Sequence, residues 1–263
     1  MTTADSALPT TFKLGGEIDI HRIGIGTNRI QNDDASRAIL PAALELGVNL
    51  IDTADIYSGG ASEQVIGATI ARDPRAHVAT KGGYHGAAPE RMAAALDASR
   101  ERLQLDTLDL YYLHRPDKSI PIEQSIDPIL SARQDGRVRH IGLSNVTLDQ
   151  LDRVRSLTPI AAVQNVYNLE NTEHEDVIDY CERHSIMFVP YFPLRGSERA
   201  KKVADRHGVD RNQVVLAAML ARSPVVVPIP GTRNPQHMAA NLAATTLKLS
   251  EADIDELGLT SGD

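Results

Sequence analysis

Eight short apolar runs, at residues 21–25, 49–53, 77–80, 108–113, 140–143, 161–164, 186–191 and 225–229, alternate with segments of helical periodicity along the whole chain. The runs are almost continuously apolar instead of alternating, the pattern of strands buried on both faces in a parallel sheet. Between them, Ala38, Ile39, Ala42, Ala43 and Leu46 mark one helical face, Val65, Ile66, Thr69 and Ile70 the next, and five similar faces follow. Gly47, Gly136 and Gly208 stand where helices should stop, and Ser62 with Glu63 reads as a helix start. Strand and helix repeated eight times predict an α/β fold of the (β/α)8 TIM-barrel kind.

Two departures from the repeat are expected. Residues 12–14 and 18–20 flank Gly15-Gly16 as in an N-terminal β-hairpin with a two-residue turn. Short extra helices are expected at 197–207 and 211–222, between the seventh and eighth runs. Pro190, Pro228 and Pro230 lack the N–H that a strand needs, so the last two strands should be short. No linker or low-complexity stretch divides residues 1–263, which are read as one domain.

Composition narrows the function. The net charge of −8, with no basic block, argues against nucleic acid or an anionic membrane as partner. The single cysteine, Cys181, cannot form an internal disulfide and suits a reducing compartment, so a cytoplasmic location is expected. No Cys/His spacing suggests a metal, and no apolar run is long enough to span a bilayer. Residues 1–12 carry neither the basic flank nor the apolar stretch of a signal peptide. A monomer or weak homo-oligomer is expected.

In a parallel barrel the C-terminal strand ends share one face, where active sites form. Asp52, Lys81 and His114 close the second, third and fourth runs, and Tyr57 follows the second in a loop. Singly these residues read as a rim ion pair, a core histidine and a surface tyrosine. Together they form a proton-delivery set. A phenol is a poor acid at neutral pH. A neighbouring ammonium should lower its pKa, a carboxylate should keep that ammonium charged, and an imidazole can hold a carbonyl oxygen beside the phenol. The set has no nucleophile of its own, so hydride from a nicotinamide is the natural complement. The GIGTNR segment near Gly24 lacks a third glycine and is no dinucleotide fingerprint.

The segments DTADIY with SEQVIG, ATKGG, YYLHRPD, GLSN, VQNVYN and PIPGTRNPQHMAANLAA resemble the aldo-keto reductase superfamily, in order and over nearly the whole chain. The resemblance implies that Asp52, Tyr57, Lys81 and His114 are a catalytic tetrad with Tyr57 as proton donor. It also implies NADP(H) as cofactor. Ser144, Asn145 and Gln164 would hold the nicotinamide carboxamide, and Tyr191 would stack on its ring. Gly231, Thr232 and Arg233 would surround the adenosine 2′-phosphate and Asn241 the adenine, with Gly26, Thr27, Leu194 and Gln236 as further cofactor contacts. A helix start behind Gly-Thr-Arg-Asn independently offers N–H groups and a guanidinium to a phosphate. Only Arg195, Gly196 and Ser197 separate Leu194 from the next helix, where many relatives carry a long loop over the cofactor.

The implied activity is reversible reduction of small aldehydes or ketones to alcohols. The segment PYFPL resembles a bacterial branch containing pyridoxine and pyridoxal dehydrogenases. Two other classes stay open: a lyase or aldolase using Lys81 as a Schiff-base nucleophile, and a non-catalytic NADPH-binding accessory protein.

Overall fold

Seven parallel strands, β3 (Ile25–Gly26), β4 (Leu50–Asp52), β5 (His77–Gly82), β6 (Leu108–Leu113), β7 (Val138–Ser144), β8 (Ala162–Gln164) and β9 (Met187–Phe188), lie side by side in sequence order in the computed structural model. The structure describes residues 9–259. The signal-peptide expectation falls largely on residues 1–8, outside the described residues.

The eighth position is filled by residues 225–229, which pair by single bridges instead of a ladder. Val226 bridges Phe188, and the Val227 N–H donates to the Phe188 carbonyl at 2.8 Å. On the other side the Gly24 N–H donates to the Pro228 carbonyl at 3.0 Å, closing the barrel onto its first strand. Pro228 and Pro230 have no N–H to extend the ladder, so the predicted shortness has the predicted cause.

Helices α1 (Asp34–Glu45), α2 (Ala61–Thr69), α3 (Pro89–Leu103), α4 (Ile122–Gln134), α5 (Leu148–Arg155) and α6 (Glu175–Arg183) each follow one strand, β3 to β8. The two extra helices are present as α7 (Lys201–His207), preceded by a single turn at Ser197–Ala200, and α8 (Arg211–Arg222). The chain then makes α9 (Pro235–Leu242) and α10 (Glu251–Leu257). The expected stop glycines Gly47, Gly136 and Gly208 all take left-handed backbone just past α1, α4 and α7.

The core has two layers. Ile51, Val78, Tyr111, Ile141 and Val163 face outward and pack under the helices. Leu50, Ala79, Leu110, Tyr112 and Met187 fill the barrel interior. Each fully buried aliphatic side chain contributes roughly 1.5–3 kcal/mol by leaving water. Strands with both faces buried explain why the runs read as continuously apolar.

Two local expectations are corrected, and one residue pair does more than expected. The hairpin of β1 (Thr11–Leu14) and β2 (Ile18–His21) turns through three residues, Gly15, Gly16 and Glu17, because Leu14 pairs with Ile18. Both glycines take positive φ. His21 belongs to β2, so the first barrel strand begins at Ile25 and not at residue 21. The helix start expected at Ser62 and Glu63 is present: α2 begins at Ala61 with Glu63 in its first turn, although no side chain caps it. Both residues are fully buried and also tie α2 to the barrel. Ser62 Oγ donates to Thr27 Oγ1 at 2.8 Å, and Glu63 accepts from Thr80 Oγ1 at 2.5 Å and Arg102 Nε at 2.7 Å.

The hairpin plugs the N-terminal end of the barrel. Leu14, Ile18 and Ile20 join the interior cluster, and the His21 N–H donates to Asn49 Oδ1, just before β4, at 2.8 Å. The opposite end is left open for the site. No helix among the described residues is long and apolar enough to cross a membrane. Cys181 is buried, and its thiol is pushed up to about 12 by desolvation, which removes it from thiolate chemistry at neutral pH.

Candidate active site

Adjacent parallel strands deliver the four candidate residues to the C-terminal face. Asp52 is the last residue of β4, Lys81 is the penultimate residue of β5, and His114 directly follows β6. The His114 N–H donates to the Gly82 carbonyl at 2.8 Å, fixing where the chain leaves the sheet. Residues 53–56 are pinned to β5 by bonds from Thr53 N–H to the Ala79 carbonyl (2.8 Å) and from Asp55 N–H to the Lys81 carbonyl (3.0 Å). Tyr57 then opens a 3₁₀ turn, Tyr57–Gly60, and its ring lies over Lys81 with the ammonium 5.1 Å from the ring centroid.

Lys81 is completely buried. Its Nζ donates to Asp52 Oδ1 at 2.6 Å and to the Thr53 carbonyl at 2.7 Å. The second carboxylate oxygen, Oδ2, accepts from Gln164 Nε2 at 2.7 Å. Desolvation works against the lysine's charge, yet Asp52 and Tyr57 together outweigh it and raise its proton affinity. For Asp52, desolvation outweighs the opposing Lys81 and Gln164 and raises the carboxyl above its ordinary value. The 2.6 Å bond from Lys81 and the 2.7 Å bond from Gln164 are what favour its charged form.

The tyrosine departs from expectation. Burial raises the Tyr57 pKa above its ordinary value, and the Lys81 charge offsets this only in part. The predicted lowering is therefore corrected: the cost of desolvating a phenolate exceeds the ammonium's help. Tyr57 holds its proton in the free protein, and Lys81 stabilises charge only as it develops on the phenol oxygen. His114 is pushed down to about 3, first by burial and then by the charges of Lys81 and Arg115. It is a neutral imidazole at pH 7. Its Nδ1 is buried with no partner among the described residues, and its ring meets Tyr57 edge-on at 6.3 Å between centroids. Tyr84 also packs against that ring, with 4.9 Å between centroids.

Tyr57 and His114 open onto a cleft of about 1080 Å³. Gly26, Thr27, Ser144, Asn145, Gln164, Tyr191, Leu194 and Gly231 line the same cleft. Asn145 sits in the left-handed region at φ +59°, which asparagine tolerates. Its Nδ2 donates to the His114 carbonyl at 2.9 Å and to Ser144 Oγ at 3.0 Å, while its Oδ1 accepts from the Tyr191 hydroxyl at 2.8 Å. Gly26 is required by packing, since a Cβ there would lie 2.7 Å from the Ile229 carbonyl. The Thr27 hydroxyl is already committed, donating to the Asp52 carbonyl at 2.8 Å.

A second cleft of about 710 Å³ contains Thr232, Arg233 and His237 and shares Asn28, Arg29 and Gly231 with the first. A dinucleotide could thus run from Tyr57 past Gly231 to Arg233 without a break. Gln236 and Asn241 line neither cleft. Gln236 is exposed at the start of α9, and Asn241 is buried within that helix at 6% exposure. Arg233 carries a partner that no local pattern reveals: its Nη1 donates to Asp33 Oδ2 at 2.7 Å, 200 residues away. The other oxygen of Asp33 caps α1 through the Ser36 N–H at 2.8 Å. The adenosine end of the cleft therefore carries a carboxylate beside its guanidinium.

Sequence reasoning missed Tyr84, Arg115 and Phe192, all of which line the main cleft. The first two each follow the end of their strand, β5 or β6, by two residues, a position that alone marks the active face of this fold. Phe192 is 44% exposed at φ +52°, which nothing in PYFPL announces. Among the described residues no group of three or more His, Cys, Asp or Glu side chains is placed to hold a metal ion.

The site is thus a buried lysine–aspartate pair under a phenol, at the open end of a barrel plugged at its other end. The family model described as "Aldo/keto reductase family" matches residues 22–202 and 195–258. The chain belongs to the aldo/keto reductase family. It is similar to pyridoxine 4-dehydrogenase of Escherichia coli, with 33% identity over 94% of this chain and 96% of that protein. An uncharacterized oxidoreductase of Schizosaccharomyces pombe is 32% identical over 98% and 92% of the two chains. Among solved structures, an aldo-keto reductase from Klebsiella pneumoniae in complex with NADPH superimposes with a TM-score of 0.85. That pair is 28% identical, covering 94% of this chain and 93% of the other. A thermostable aldo-keto reductase bound to the inhibitor epalrestat gives 0.87 at 30% identity, covering 95% and 99%.

Proposed function

We propose that this oxidoreductase interconverts small aldehydes or ketones and their alcohols, with NADP(H) as cofactor and Tyr57 as the proton donor. The observation that carries the reading is the locked ammonium of Lys81 beneath a phenol that keeps its proton, beside a neutral imidazole. The two joined clefts, with Arg29 in both and Arg233 at the far end, fit a nicotinamide dinucleotide phosphate. Bound NADPH supplies the hydride that reaches the carbonyl carbon.

The chain's own residues manage the proton. A neutral His114 orients the carbonyl oxygen toward Tyr57 by hydrogen bonding. Tyr57 releases its proton to that oxygen as negative charge builds there. Lys81 stabilises the resulting phenolate, and Asp52, itself held by Gln164, keeps Lys81 charged and aimed. In the alcohol-oxidising direction the same path runs backwards. Asn145, tied to His114 and to Tyr191, links the carbonyl-orienting residue to the residue proposed to stack on the nicotinamide.

The Schiff-base alternative loses its support, because a nucleophilic lysine must be neutral and Lys81 has its proton affinity raised by a carboxylate 2.6 Å away. The accessory-protein reading has less support than an enzyme, because Asp52, Tyr57, Lys81 and His114 are all present and lie together. A pyridoxal/pyridoxine dehydrogenase is the second specific reading, favoured by the 33% identity to the Escherichia coli enzyme. A cytoplasmic location and a monomer or weak homo-oligomer complete the proposal.

A spectrophotometric panel of aldehydes, ketones and pyridoxal, scored by NADPH oxidation, tests the activity. Turnover of at least one carbonyl class is expected. NADPH binding with no oxidation across the panel contradicts the reading in favour of the accessory role. Arg233→Ala should raise the NADPH KM by about tenfold, the scale of one partly exposed charge-assisted bond, and change the NADH KM little. The Asp33 partner limits the size of this effect, since part of the guanidinium's charge is already neutralised. Equal losses for both cofactors would contradict the 2′-phosphate role.

A further inference from the structure

Six charged side chains line the main cleft, and they divide by position. Asp52 is spent on Lys81. Arg29 follows β3, beside the eighth segment, where the two clefts join. Arg195 follows β9 and lies 4.2 Å from the Phe192 ring centroid. Arg115, Asp117 and Lys118 form one loop after β6. The strand order β3 to β9 sets the ends of β5 and β6 across the barrel mouth from the eighth segment and β3, where the cofactor's phosphates would lie. Cations on the β6 loop are therefore on the substrate side.

Arg115 is placed there by an aromatic ring and not by an ion pair at contact distance. Its guanidinium lies 5.2 Å from the centroid of the Tyr84 ring, and that same ring packs 4.9 Å from the His114 imidazole. One aromatic ring thus separates the guanidinium from the carbonyl-orienting residue. Arg115 makes no hydrogen bond or ion pair among the described residues, and neither does Lys118. Asp117 is the opposing charge on this wall; its Oδ1 accepts from the Ser119 N–H at 2.8 Å and the Ser119 Oγ at 2.6 Å, and its charge acts on Arg115 only from beyond ion-pair distance. The wall keeps a net positive charge and a planar fork of unused donors facing the cleft.

We propose that Arg115 is a specificity-determining residue that binds an anionic group, a carboxylate or a phosphate ester, carried by the substrate about one ring's breadth from its carbonyl. This rests on the reductase reading above and narrows its substrate class to acidic carbonyl compounds. Lys118 adds charge to the same wall, and Tyr84 sets the spacing by holding the guanidinium and covering His114.

Paired substrates separate this inference from the reading beneath it. Turnover of benzaldehyde by the protein with NADPH tests the reductase activity itself. The ratio of kcat/KM for 4-carboxybenzaldehyde over benzaldehyde tests Arg115, as does the ratio for pyridoxal 5′-phosphate over pyridoxal. At least one ratio should be about ten, the scale of a charge-assisted hydrogen bond in a partly exposed site, and Arg115→Met should bring it to about one. Arg115→Lys should restore part of it. A gain confined to one pair identifies the anion as carboxylate or phosphate. Ratios near one in the unaltered protein, or a ratio untouched by Arg115→Met, overturn the proposal. A binding measurement decides even without turnover. Calorimetric titration of 4-(hydroxymethyl)benzoate into the protein with NADP+ should show about tenfold weaker binding in Arg115→Met, and equal binding in the two proteins overturns the assignment.

Discussion

Tyr57→Phe is expected to lower kcat for carbonyl reduction by about a thousandfold, the middle of the range for a lost general acid. NADPH affinity, followed by fluorescence titration, should shift less than about twofold. The substitution removes one hydroxyl and keeps the ring that lies over the Lys81 ammonium. Packing and the buried pair below it are preserved. The phenol holds its proton because burial outweighs the nearby ammonium, so in the proposed mechanism it donates only as charge develops on the carbonyl oxygen. No other group replaces it: His114 is neutral with a pKa near 3 and Lys81 is spent on Asp52 and the Thr53 carbonyl. A variant that retains full turnover would remove the proton-donor role from Tyr57.

The second large effect concerns stability. Lys81→Met leaves the Asp52 carboxylate buried with Gln164 as its remaining side-chain partner. Breaking a buried pair from one side costs about 3–5 kcal/mol. Urea melts should show a loss of this size in Lys81→Met. The double variant Asp52→Asn with Lys81→Met should recover most of it, because the uncompensated charge is gone, yet remain as inactive as the single variant. If the double variant is less stable by the sum of the two single losses, Asp52 and Lys81 are not energetically coupled, and the account of the pair fails. Recovery of stability without activity would show that the pair is kept for chemistry, not for holding the barrel together.

How much of this was readable in the sequence follows from the range of the forces involved. Strand positions were legible because a strand buried on both faces must be apolar throughout, and the polar residues ending β4, β5 and β6 stood out against that pattern. Their convergence followed from parallel topology alone. The first strand was misplaced because His21 continues an apolar stretch while pairing in the hairpin, a tertiary choice that composition does not encode. Ser62 and Glu63 do stand in the first turn of α2, but their second role as buried ties to the barrel cannot be read from their residue types. Burial also reversed the direction of the Tyr57 shift, since neighbouring charges can be read from a motif but desolvation cannot. Asp33 and Arg233, far apart in the chain, meet only when the eighth segment closes on the first strand. Arg115 was invisible for a related reason: its meaning lies in the Tyr84 ring from the preceding loop.

The most direct test of the central claim follows the hydrogen atoms. The protein is given NADPH carrying deuterium at C4 of the nicotinamide together with a carbonyl compound that it reduces, and the alcohol is examined by NMR. The account predicts deuterium on the carbinol carbon, with solvent hydrogen only on the oxygen, and loss of this product in Tyr57→Phe. Solvent-derived hydrogen on the carbinol carbon, or consumption of the carbonyl compound without oxidation of NADPH, would contradict it.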